Sequence, residues 1–154
     1  GWTVGTFTVT RWTGARERIA LWIGPILMLA GLAGITTTAE WPGLIVLTLA
    51  AFVLGLGVGT HNVHLIARTM AAAAPGEEGI TSSAMPSIRA LGTAFGAAAA
   101  GMLSTMAGLG DATVAESVGR AITVVYGAHL VPMAFAVVLM FRFVRIPRAG
   151  GEAG

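Results

Sequence analysis

"GLIVLTLAAFVLGLGVGTHNVHLIA", residues 43–67, holds no Asp, Glu, Lys or Arg in 25 positions, and its strongly polar side chains gather at one end. As a helix this stretch would be about 37 Å long at 1.5 Å per residue. A hydrocarbon core needs only about 20 such residues. A helix lying against water carries a polar face along its whole length, and this one has none. The stretch therefore reads as a membrane span, long enough to tilt or to emerge at its polar end.

Three further blocks have similar character: 19–38, 80–108 and 121–144. Residues 1–10 are too short to cross, at about 15 Å of helix, and read as part of another span, so that the chain looks as if it starts in mid-structure. The expected fold is all-α, a polytopic membrane helical bundle of four full transmembrane helices plus a partial one. It forms a single transmembrane domain over 1–145 with a polar tail at 146–154. Composition agrees, since 55% of the 154 residues are hydrophobic and 10% are charged, with a mean hydropathy of +0.81. Soluble domains are about one quarter charged.

The basic balance comes from nine arginines and no lysine, placed in small groups at the ends of apolar blocks. They form no aromatic-interleaved basic face, so a nucleic-acid partner is not expected. There is no cysteine, which excludes disulfides, thiolate metal sites and cysteine nucleophiles. The first ten residues lack the pattern of a signal peptide.

The connections "AEWPG", "RTMAAAAPGEEG" and "LGDATVAESVGR" carry the Pro, Gly and acidic residues that end helices. If four spans alternate, Arg11, Arg16, Arg18, Arg68, Arg142, Arg145 and Arg148 share one side, while Arg120, Glu40, Asp111 and Glu116 lie on the other. Arginine-rich loops stay in the cytoplasm. The C-terminus and the "PGEEG" loop are therefore expected to be cytoplasmic, and Trp12 and Trp41 to lie near opposite interfaces.

Small residues recur at i and i+4 within the spans, a spacing that lets helix backbones approach closely in lipid. Gly55 and Gly59 do so in the second block, and Gly92, Gly96 and Gly101 mark the third. Pro25, Pro86 and Pro132 each remove a backbone donor inside a span, where a kink is expected unless neighbours repair the gap.

Ionisable groups inside a span are functional candidates by default. Here they are His61, His64, Arg89 and His129, with Asn62 and Tyr126 as polar neighbours. His61 and His64 have a spacing that suits a metal but no third ligand nearby, so cavity-lining or interfacial polar contacts are the better reading and no metal or cofactor is expected. His129, between Tyr126 and Pro132, either lines a path or donates to a backbone carbonyl. Every Asp and Glu falls in a loop or tail, and no catalytic constellation stands out, so an enzyme is not expected.

With these residues in hand, the chain resembles the C-terminal part of a major facilitator superfamily transporter, from the end of its eighth helix to its twelfth. "GWTVGTFTVTRWTGARERIAL" resembles the eighth helix and the basic loop after it. "LGLGVGTHNVHLIARTMAAAAPGEEGITSSAMPSIRALGTAFGAAAAGML" resembles the tenth and eleventh helices, the glycine-rich "LGTAFGAAAAG" being typical of bacterial drug-exporter branches. The loop departs from the family motif, with Thr10 where an aspartate would precede Arg11.

The resemblance implies a fragment of a secondary transporter in the plasma membrane, moving a small, drug-like organic molecule by alternating access together with a missing N-terminal half. A free-standing four-helix membrane protein, either a small dimeric exporter or an assembly factor, is the alternative. Arg89 lies about 13 Å into its span. It either snorkels and bonds neighbouring helix ends or faces a gate or an anionic substrate.

Overall fold

The computed structural model describes residues 1–40, 43–111 and 113–145. Over these the chain is helical: α1 (Trp2–Val9), α2 (Ala15–Thr38), α3 (Leu44–Ala71), α4 (Glu78–Met106), a short 3-10 turn (Leu109–Asp111) and α5 (Ala115–Arg145). Trp41, Arg148 and the tail at 146–154 lie outside the described residues.

Local chemistry sets the helix ends. Gly14, at φ 59°, takes the left-handed backbone needed for the tight turn from α1 into α2. The Glu78 carboxylate accepts a hydrogen bond from the Gly76 amide at 3.0 Å and sits in the first turn of α4, where the helix dipole favours a negative charge. α5 has Glu116 in its first turn and Arg142 and Arg145 in its last, the arrangement that complements both ends of the dipole. Pro25, Pro86 and Pro132 all lie within continuous helices.

Among the described residues, three helices are long and apolar enough to cross a membrane: α2, α3 and α5, each with a mean hydropathy of 2.0 in its apolar stretch. Against the four full crossings expected, α4 falls short of the other three in apolar character, although it carries the chain from the end of α3, beside Val144, back to the start of α5, beside Ala39. α4, at 29 residues, has the length. Arg89, Ser82, Ser83 and a run of Gly and Ala dilute its apolar character.

The core forms where α2 and α3 run antiparallel with their backbones nearly touching. A Cβ added at Gly57 would meet the Gly24 carbonyl oxygen at 2.5 Å and the Met28 amide at 2.6 Å. One added at Gly31 would strike the Leu54 backbone. Successive residues turn by about 100° in a helix, so Gly55 and Gly59 share a face and Gly57 lies nearly opposite. The glycines of "LGLGVG" therefore serve two neighbours. Gly57 accommodates α2, whereas Gly55 and Gly59 accommodate α1, with a Cβ on Gly59 meeting the Trp2 carbonyl.

α5 lies along the other flank of α2, also antiparallel. Thr123 donates to the Thr36 carbonyl at 3.3 Å, Gly119 abuts Ala39, and Trp22 packs on Phe141 with ring centroids 5.4 Å apart. α4 stands apart from this block, with no buried residue. The close packing expected of Gly92, Gly96 and Gly101 is not made among the described residues: a Cβ at any of the three would have nothing within 4 Å. Residues 91–98 around Gly92 and Gly96 are exposed, and beside Gly101 Ala100 and Ser104 line a cavity rather than meet a helix backbone.

Candidate functional site

Three polar side chains of α3 are buried in a line at i, i+4 and i+8: Thr60, His64 and Arg68, each about 5% exposed. Thr60 returns its hydroxyl to the Leu56 carbonyl of its own helix at 2.7 Å. The other two reach across. His64 Nε2 lies 2.9 Å from the carbonyl oxygen of Val9, the last residue of α1. Because a carbonyl only accepts, this nitrogen carries the proton. Arg68 Nη2 donates to the carbonyl of Val144, near the end of α5, at 2.9 Å, and its guanidinium carbon lies 5.6 Å from the centre of the Phe143 ring.

The last four carbonyls of any helix have no partner within it. Two consecutive turns of α3 thus satisfy the ends of two other helices, and the Arg68 cation also meets the negative end of the α5 dipole. The ends of α1, α3 and α5 consequently gather at one end of the bundle. Arg11, Arg16, Arg18, Arg142 and Arg145 belong to that same end.

Sequence reasoning passed over Arg68 because the apolar block stops at Ala67, which made the arginine look like a loop charge. α3 instead runs on to Ala71 with Arg68 inside it. The available signal was its position four residues after His64.

His61 takes another direction. Its Nδ1 bonds to the Gly57 carbonyl at 2.8 Å, and its Cβ packs against Gly24 of α2. His61 and His64 thus serve different neighbours, and among the described residues no group of three His, Cys, Asp or Glu side chains converges. Asn62 is half-buried beside them.

Tyr126 and His129 come together in a cavity of about 680 Å³ between α2, α3, α4 and α5. Its wall is mainly apolar, with Met28, Leu54 and Met133 prominent, and Ser104 contributes a further hydroxyl. His129 Nδ1 donates to the Val125 carbonyl at 2.6 Å, which leaves Nε2 as an acceptor in the neutral ring. The Ser104 hydroxyl is committed to Ala100 at 2.8 Å. Such a cavity suits a largely apolar molecule that also has a group able to hydrogen-bond with the Tyr126 hydroxyl or His129.

Arg89 is not part of it. It lines a second cavity of about 560 Å³ between the end of α3 and the first half of α4, with Ile66, Met70, Ser82, Met85 and Pro86. The sequence candidates therefore do not converge: His64 holds a helix end, His61 packs on α2, Tyr126 and His129 face one cavity, and Arg89 faces another.

Among known proteins, the chain is similar to two proteins from different strains of Mycobacterium tuberculosis, each named a probable multidrug-efflux transporter. The identity is 32% over 137 residues in both cases, covering 85% of this chain and 29% of each relative. The chain thus spans under one third of the length of the curated relatives it matches. No family model matches it, and no solved structure does. The similarity and the three apolar helices together make this a multi-pass membrane chain homologous to part of a probable efflux transporter.

Proposed function

We propose that this chain is a section of a secondary active transporter of the major facilitator type, exporting a small, drug-like organic molecule across the plasma membrane by alternating access. The observation that carries the reading is the 32% identity over 137 residues to proteins named as multidrug-efflux transporters. The cavity of about 680 Å³ supports it, because pockets for drug-sized molecules span roughly 300–1,000 Å³ and are mostly apolar with a few placed polar groups.

In this reading Tyr126 and His129 contact the substrate, and the block of α1, α2, α3 and α5 moves as one body. The remaining length of the transporter supplies the opposing half. The arginine-rich end of the bundle faces the cytoplasm.

The test is export by the full protein in a bacterium lacking its main efflux pumps, read as the accumulation of a panel of fluorescent drug-like dyes. Lower accumulation of at least one dye, with a raised KM in Tyr126→Ala, is the expected result. Accumulation identical to an empty-vector control across the panel would refute transport of this class.

A further inference from the structure

We propose that the cavity lined by Arg89 is a binding site for an anionic phospholipid, with the headgroup phosphate on the guanidinium and the first part of an acyl chain against the apolar wall. Four observations lead there, and they rest on the chain being a membrane protein rather than on what it transports.

First, Arg89 is exposed and its guanidinium makes no hydrogen bond or ion pair among the described residues, while its backbone carbonyl accepts from the Thr93 hydroxyl at 2.9 Å. A guanidinium presents five donors in a planar fork that matches phosphate oxygens, so this one is open to an anion. Second, the rest of the wall, Ile66, Met70, Met85 and Pro86, offers an apolar surface with two unbranched, adaptable methionines. A bare inorganic anion has no use for such a wall, whereas an acyl chain does.

Third, Pro86 has no N–H to give the Ser82 carbonyl its partner one turn earlier, and both residues line the cavity. That carbonyl is an acceptor suited to a headgroup hydroxyl, while the Ser82 side chain is already bonded to Gly79 at 3.0 Å. Fourth, Met70 belongs to the last turn of α3, at the arginine-rich end of the bundle. Arg89 lies about 16 Å into α4 from Glu78, within reach of a headgroup when its long side chain extends toward the interface. Basic pockets between membrane helices at such an end suit lipid phosphates.

The experiment uses the purified full chain in nanodiscs of phosphatidylcholine with a small fraction of phosphatidylglycerol, and native mass spectrometry of the lipids it retains. The expected result is retention of phosphatidylglycerol over phosphatidylcholine by at least about tenfold, the scale of a charged hydrogen-bonded contact. Arg89→Gln should abolish this preference, and Arg89→Lys should keep part of it, since lysine retains the charge without the fork.

Met85→Trp fills the cavity while leaving the arginine in place, and should also abolish the preference. It gives an independent reading if the glutamine variant fails to fold. Equal retention of the two lipids, or a preference unchanged in both Arg89→Gln and Met85→Trp, would overturn the proposal. Displacement of phosphatidylglycerol by inorganic phosphate at equal concentration would overturn it as well, because a bare anion makes no use of the apolar wall.

Discussion

Replacing Gly57 by alanine adds one methyl group at the tightest point between α2 and α3. The new Cβ would lie 2.5 Å from the Gly24 carbonyl oxygen, where ordinary contact begins at 3.4 Å, so the helices must part by about 0.9 Å. Both nearest atoms are backbone, so no side chain can turn aside to make room. A radial gap of roughly 0.5–1 Å forfeits a quarter to a half of the dispersion energy of each facing atom pair. Overpacking of this kind costs about 1–3 kcal/mol. The assay is reversible unfolding in mixed micelles, followed by tryptophan fluorescence, with Gly92→Ala measured in parallel. That control places its methyl where nothing lies within 4 Å. It should be neutral, or stabilising by at most about 1 kcal/mol, because alanine is the better helix former. An unchanged midpoint for Gly57→Ala, or an equal fall for Gly92→Ala, would refute the packing argument.

His64→Leu should destabilise the fold by about 0.5–1.5 kcal/mol, the net worth of one hydrogen bond, because the Val9 carbonyl still accepts from the Trp12 amide at 2.8 Å, and His64→Gln should recover part of the loss; the same unfolding titration reads both. Arg68→Leu should cost a similar amount or more, since it removes a charged donor from the end of α5, and the loosening should appear as faster hydrogen exchange around Val144. The chain has no native cysteine, so single cysteines report its orientation. Thr113→Cys should react with an impermeant maleimide on intact cells, and Ala73→Cys only after lysis; the reverse pattern would invert the topology.

The helices were legible in the sequence because a span must be long, apolar and closed by turn residues, and that requirement is local. α2 was expected over 19–38 and occupies Ala15–Thr38. The i, i+4 spacing likewise placed Gly55 and Gly59 on one face. What the spacing could not reveal was which neighbour each face meets: Gly57, two residues along, turns to the opposite side and forms the α2 contact. The polar residues were harder for the same reason. His61 and His64 look like a pair in sequence, yet the 60° between them is enough to direct one to α2 and the other to α1. Arg68 looked like a loop charge because the carbonyl that makes its burial tolerable belongs to Val144, 76 residues away. For α4, the apolar fraction is lowered by residues whose use depends on what surrounds the helix, and local pattern carries no record of that.

The bonds made by consecutive turns of α3 also impose an order on biogenesis. His64 finds the end of α1 in polypeptide made 55 residues earlier, so α1, α2 and α3 can close on one another as soon as α3 enters the membrane. The contact of Arg68 with Val144 must wait until all of α4 and α5 have been synthesised. A ribosome stalled within α5 would therefore leave α1, α2 and α3 closed on one another while Arg68 still lacks the Val144 carbonyl.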